Sequence, residues 1–239
     1  MSSNQQEAFL NRIAEKLGRP RRHGVVPPNW KEKPYAHLHE GLTQEDLVRQ
    51  FVENLSALNT EVSRVTRSEI GNALDAILQR FGIQSALFWD DERLHRLELG
   101  KHLNARNVAY QIWDSRGEER DLREYAAKVD MGITYAEMGL SETGTVVLWN
   151  GGGRGRLVSL LPPVYLAILS EHSIRPRLTE AAAAIHAQVP NGLPACINFI
   201  TGPSRTADIE MDLALGVHGP GKVHILLLKD ESEEIIEPA

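Results

Sequence analysis

One cysteine, Cys196, stands among the 239 residues. No internal disulfide can form, and this chain alone cannot assemble a thiolate-bound cluster. A basic surplus is missing as well: 26 Lys and Arg face 32 Asp and Glu, a net charge of −6. A dedicated nucleic-acid binder, which needs a basic face to neutralise phosphate, is therefore not expected. No apolar run approaches the roughly 18 residues that span a bilayer. The opening MSSNQQEAFLNRIAEK has neither the basic start nor the continuous apolar core of a signal peptide. The expectation is a cytoplasmic protein without a membrane span. The nine histidines include no HExxH or comparable pattern, and His37 and His39 read as solvated residues of a Pro-rich stretch. No metal bound by this chain is expected.

What is present is enough for a sizeable core, with 42% hydrophobic residues. Phe9, Leu10, Ile13, Ala14 and Leu17 recur at helical spacing before Gly18, a short amphipathic helix. RPRRHGVVPPNWKEKPYAHLHEGL follows without periodicity and reads as an extended arm, with Trp30 and Tyr35 as candidate anchors. Residues 1–42 are thus an amino-terminal extension. Thr43 and Asp46 form a capping-box pattern ahead of a helix carrying Leu47, Val48, Phe51, Val52, Leu55 and Leu58. Strands (EVSRV, SALFW, NVAYQIW) then alternate with helices (SEIGNALDAILQRFG, DDERLHRLEL, EERDLREYAAKV). This alternation predicts a largely parallel sheet covered by helices. MGITYAE, GTVVLW and VYLAILS lack intervening helices and predict an antiparallel or mixed insertion. The helix TEAAAAIHAQ and the strands CINFI and KVHILLL complete a domain over 43–230, and residues 231–239 form an acidic tail.

Two nucleotide signatures fail on their own residues. NGGGRGR places Arg156 where GxGxxG needs glycine, and it leads into a turn instead of a helix. GVHGPGKV matches GxxxxGK but continues with Val223 into β-rich HILLL, and Pro220 removes an amide donor. Polar turns at strand ends remain: EMGLSETGT, NGGGRGR, TGPSRTADIE and GVHGPGK. Open α/β sheets bind ligands at such ends. In TGPSRTADIE, Thr206 is placed to cap a short helix from Ala207, whose free amides and Arg205 would attract an anion. Asp208 and Glu210 would instead complement that helix end, leaving a self-capped turn. Glu142 is a candidate acid or base and His218 a candidate titrating base. Arg154 and Arg156 can clamp a carboxylate or lie solvated in a hairpin. His224 reads as a satisfied or solvent-facing strand residue, and Cys196 as core.

Taken in order, FLNRIAEKLGRP, GLSETGTVVL, RGRLVSLLPPVYLAI and PACINFITGPSRTADIEMDLALGVHGPGKVHILLL resemble the lactate utilisation protein C family, whose members consist of a LUD domain. The resemblance runs from about Phe9 to Leu228 and is densest after Gly132. It implies a fold related to the NagB/RpiA/CoA-transferase group, a mixed sheet flanked by helices. It also implies a role in oxidising L-lactate to pyruvate with two iron–sulfur partner proteins, the clusters residing in those partners and no cofactor in this chain. Matching positions, namely Glu142, Thr143, Gly144, Arg156, Gly202, Ser204, Thr206, Asp208, Glu210, His218 and Gly219, are candidates for a shared site, with Arg205 beside them. The alternatives are a stand-alone enzyme on an anionic small molecule (a CoA ester, sugar phosphate or folate derivative) and a structural assembly subunit.

Overall fold

The computed structural model describes residues 3–24, 26, 35–114, 119–209 and 212–229. Trp30, Glu210 and the acidic tail lie outside them, as does the side chain of Asp208. The chain divides into two compact units, Met1–Glu40 and Gly41–Ala239. In the first, α1 (Ser3–Lys16) ends at Gly18, whose left-handed φ of 60° lets the Arg19 amide return to the Ala14 carbonyl. Phe9 on this helix and Leu17 just past its end are exposed.

The second unit opens with α2 (Gln44–Ala57), started by the expected box: Thr43 Oγ1 accepts from the Asp46 amide, and the Asp46 carboxylate accepts from the Thr43 amide. Its Leu47, Val48, Phe51 and Leu55 are buried, one apolar stripe at helical spacing. Next come β1 (Glu61–Val65), α3 (Ile70–Phe81, closed by left-handed Gly82), β2 (Ser85–Trp89), α4 (Glu92–Arg96), α5 (Leu99–Ala105), β3 (Ala109–Trp113) and α6 (Glu119–Ala126). Further on are β4 (Met131–Tyr135), β7 (Val164–Ser170) and β12 (Lys222–Leu228). These strands build a six-stranded sheet in the order β1-β12-β7-β4-β2-β3, with every pairing parallel. The middle strands β4, β7 and β12 are buried almost end to end, because helices and loops cover both faces, whereas the edge strands β1 and β3 are only partly buried.

The stretch expected as an antiparallel or mixed insertion is divided differently. MGITYAE and VYLAILS supply β4 and β7, parallel neighbours with Met131 opposite Val164. GTVVLW supplies β6 (Thr145–Asn150), which leaves for a second sheet of order β8-β5-β6-β9 with β5 (Met138–Leu140), β8 (Ile174–Arg175) and β9 (Cys196–Ile200). A parallel pair needs a long crossover, and here the β5–β6 hairpin supplies it in place of an α-helix. The mixed pairing lies in this smaller sheet, where β6 runs antiparallel to both neighbours and β8 parallel to β5. Helix α7 (Leu178–Gln188) packs against β5.

A second correction concerns TGPSRTADIE. No helix starts at Ala207; residues Arg205–Ile209 form β10, paired antiparallel with β11 (Asp212–Leu215). The ladder pairs Arg205 with Leu215 and Thr206 with Ala214, so the backbone here is extended. Thr206 is buried. An extended backbone offers no helix end to cap, which removes both the helical anion cradle and the self-capped turn. No helix among the described residues is long and apolar enough to cross a membrane.

Candidate functional site

Two of the polar turns, SETGT and TGPSR, converge on the C-terminal end of α2. Asn54 Nδ2 donates to the carbonyls of Ser141 (2.7 Å) and Glu142 (3.1 Å). Gly144, at φ 61°, lies so close that an added Cβ would sit 3.0 Å from the Leu55 amide nitrogen. From the other side Gly202, at φ 71°, leaves room for a Cβ only 3.0 Å from that of Leu58 and 3.3 Å from Thr60 Oγ1. The Arg205 guanidinium donates to the Leu58 carbonyl, the C-cap of α2, where a cation also complements the helix dipole. A row of hydroxyls joins the two loops: Thr143 to Thr145 at 2.6 Å and Thr145 to Thr201 at 2.7 Å. The Glu142 carboxylate lies 3.2 Å from Arg177 Nε, an ion pair within the scaffold.

The two later turns clasp each other. Ser204 donates its amide to the Pro220 carbonyl, and its own carbonyl accepts from Gly216, each at 2.9 Å. Its hydroxyl accepts from the His218 amide at 3.3 Å, and Gly219 packs on its Cβ. The His218 side chain is exposed. Arg156 is exposed too, in a separate 3-10 turn (Arg156–Ser159) that packs on β2, β4 and α6. The candidates thus group as Glu142–Gly144 with Gly202 and Arg205 around α2, and Ser204 with His218 and Gly219 beside them, with Arg156 placed elsewhere.

The segment that these loops hold forms one wall of an open groove of about 530 Å³, lined by Ser56, Asn59, Thr60, Glu61, Val62, Ser63 and His224. Asn59 adopts a left-handed φ of 58°, turning the chain from α2 into β1. Parallel register sets Glu61 opposite His224, and the two-residue strand period puts Ser63 on the same face. Ser63 Oγ lies 2.9 Å from His224 Nε2, and Glu61 Oε2 lies 3.7 Å from His224 Nδ1. Glu61 is ion-paired with Arg80. The Phe81 ring stands edge-on to the imidazole, with Lys222 Nζ 5.7 Å from the centre of that ring. Burial, helped by the Arg80 charge, pushes the His224 pKa down to about 4, so the ring is neutral at pH 7. His224 Nδ1 and Thr60 Oγ1 are buried and find no hydrogen-bond partner among the described residues. His224 is not solvent-facing: the residue is 5% exposed, and its satisfaction is partial, through the Nε2 bond to Ser63.

A second constellation, with Glu137 from the turn EMGLSETGT and Arg154 from NGGGRGR, lies past the C-terminal ends of β2 and β4. These adjacent strands are the place where the sheet order reverses, since β2 continues to β3 on one side and β4 to β7 on the other. Asp91 caps α4 and accepts from Arg93 at 3.0 and 2.7 Å. Arg93 also reaches both Glu137 oxygens at 2.8 Å and lies 4.3 Å from the centre of the Tyr135 ring. Arg154 completes the group at 3.0 Å from both Asp91 and Glu137. Burial alone would raise the Asp91 pKa, but the Arg93 hydrogen bonds and the two guanidinium charges hold it below the usual carboxylate value. Arg154, weighed as a clamp for a ligand carboxylate, is therefore engaged by the protein's own acids. The surrounding glycines let the chain pack tightly around this cluster. Trp89 Nε1 donates to the Gly155 carbonyl at 2.8 Å, and Gly153 packs on Asp90. Two carboxylates and two guanidiniums neutralise each other at the end of the sheet where doubly wound folds commonly bind a ligand. Among the described residues no group of three His, Cys, Asp or Glu side chains is placed to hold a metal ion, and Cys196 is a half-buried free thiol.

The LUD domain profile matches residues 48–228, which takes in both constellations and every motif turn. The chain belongs to the LUD domain family. Two curated relatives agree along nearly the whole length. Lactate utilization protein C 1 of Bacillus mycoides (strain KBAB4) is 40% identical over 234 residues, 97% of this chain and all of the relative. Lactate utilization protein C of Shouchella clausii (strain KSM-K16) is 39% identical over 228 residues, 95% of this chain and 98% of the relative. In crystal structures, a DUF162 family protein from Deinococcus radiodurans shares the fold, with a TM-score of 0.58 at 21% identity over 78% of this chain and 99% of the other. The α/β fold and the membership implied by the motifs are both borne out.

Proposed function

We propose that this LUD protein is a cytoplasmic component of L-lactate utilisation, acting with two iron–sulfur partner proteins in the oxidation of L-lactate to pyruvate. The observation that carries this reading is the near-complete, 40% identical match to a protein named for lactate utilisation. Converting the hydroxyl carbon to a ketone releases two electrons and two protons. A chain with one cysteine cannot hold a thiolate-bound cluster to take the electrons, so the reading assigns the clusters to the partners. This chain then handles substrate or completes the assembly. Deletion of its gene alone should abolish growth on L-lactate and spare growth on glucose, with a plasmid copy restoring it. Normal growth of the deletion strain on L-lactate would falsify the proposal. Co-purification with the iron–sulfur proteins, followed by lactate-dependent dye reduction with and without this chain, tests the assembly directly.

A further inference from the structure

The β1–β12 groove carries more polar chemistry than a scaffold needs. Its lining is Ser56, Asn59, Thr60, Glu61, Ser63 and His224, with Val62 as the one apolar member. Two of its buried polar atoms, Thr60 Oγ1 and His224 Nδ1, have no partner among the described residues. Burying a hydroxyl or an imidazole nitrogen without a hydrogen bond is destabilising, so such atoms point to a group supplied from outside the fold. Two unpartnered atoms in one groove make the observation stronger than either alone.

We infer that this groove binds a small hydroxycarboxylate, oriented by the Ser63–His224 pair and the Thr60 hydroxyl. The inference rests on the proposed role in lactate utilisation for its choice among polar ligands. In a neutral imidazole one nitrogen accepts and the other donates. When Nε2 accepts the Ser63 hydroxyl proton, Nδ1–H is left as a donor for a ligand oxygen. Thr60 can both donate and accept, and Ser63, its proton held in the bond to His224, can still accept, which matches a hydroxyl group. Charge supports the carboxylate. Glu61 is the only acid among the described lining residues and is already paired with Arg80. Lys222 adjoins His224 through the Phe81 ring, and Arg205 sits on the Leu58 carbonyl beside Asn59. Arg80 thus neutralises Glu61, and Lys222 and Arg205 add positive charge beside the described lining. The volume of about 530 Å³ exceeds a three-carbon acid, so longer hydroxy acids enter the same class. The family's own loops secure the position of this wall, since Gly202 and Arg205 grip Leu58 and Thr60.

The test is calorimetric titration of the full chain with L-lactate and L-malate. Propionate serves as the acid without a hydroxyl, and glycerol as the polyol without a carboxylate. The hydroxy acids should bind at least about tenfold more tightly than either control. Thr60→Val keeps the shape and deletes the orphan hydroxyl, so it should raise the melting temperature while weakening L-lactate binding about tenfold, one hydrogen bond's worth. Ser63→Ala should weaken binding to a similar degree in a folded protein. Equal binding of propionate, failure of either hydroxy acid to bind, or affinities untouched by both substitutions would each overturn the inference. Growth separates this from the wider reading: if the deletion strain fails on L-lactate but is fully restored by the Thr60→Val, Ser63→Ala double variant, the groove assignment falls and the role in lactate utilisation stands. If the deletion strain grows, the role itself falls.

Discussion

His224→Gln should make the protein markedly less sensitive to acid. The folded pKa of about 4 lies well below the ordinary 6.5 of a histidine, because burial penalises the charged ring and Arg80 repels it. Glu61, 3.7 Å away, is the one acid among the described lining residues and is itself tied to Arg80; Lys222 adds a further positive charge nearby. Between pH 6.5 and 4 the unfolded chain binds a proton that the folded chain refuses, so stability is full above 6.5 and is lost as pH falls toward 4. Linkage over that interval gives a loss of about 2–3 kcal/mol at pH 4.5 relative to pH 7.5. Glutamine preserves a hydrogen-bonding group for Ser63 and cannot titrate. Carboxylates such as Asp46, held down to about 2 by the Thr43 hydroxyl and amide and by Arg49, contribute their own acid loss, but equally in both proteins. Urea unfolding at pH 7.5, 6, 5 and 4.5 would isolate the difference. The gap between wild type and variant should shrink by about 2–3 kcal/mol across the series. Parallel stability curves for the two proteins would refute the burial argument.

Arg93→Met should cost about 3 kcal/mol, since it strands Asp91, 1% exposed, and Glu137 with Arg154 alone; a loss below about 1 kcal/mol by urea unfolding would contradict a cohesive role for the cluster. Gly155→Ala should cost about 2 kcal/mol or more, because its Cβ would lie 2.0 Å from the Trp113 ring; an unchanged near-ultraviolet circular dichroism spectrum and melting temperature would show that the close approach is not real. Arg205→Ala should cost about 1 kcal/mol through the lost donor at the α2 C-terminus, measured by urea unfolding, and no loss would mean that solvent replaces it.

Local signals carried most of the elements. The Thr43–Asp46 box, the Gly82 stop and the apolar spacing of α3 state their structure within a few residues, and each is found where its chemistry places it. Sheet membership is not local. MGITYAE, GTVVLW and VYLAILS look alike as apolar runs, yet the first and third lie together in the large sheet and the second in the small one. Nothing within a run names its partner, because pairing is decided by which edge the earlier strands leave open. TADIE misled in another way. Its Thr and acidic residues match a helix start, but extended pairing with Asp212–Leu215 uses the same backbone groups and wins.

The identifying motifs and the chemistry-bearing residues turn out to have different physical jobs. Gly144, Gly202 and Arg205 are demanding positions: two need left-handed backbone pressed against α2, and one satisfies that helix's C-cap carbonyl. Such constraints make a sequence recognisable without requiring contact with a ligand. The groove they support takes Glu61, Ser63 and His224 from EVSRV and KVHILLL, which read alone as ordinary strands, and Ser56, Asn59 and Thr60 from the end of α2 and the turn after it. Ser63 and His224 stand 161 positions apart, and only the parallel register of β1 against β12 brings them within 2.9 Å. A strand histidine therefore looks bland until its neighbour is known. The same holds for Asp91 and Glu137, which become a cluster because β2 and β4 are adjacent at the point where the sheet order reverses. Recognition from motifs locates the frame of this protein, and the pairing of distant strands locates the atoms a ligand would meet.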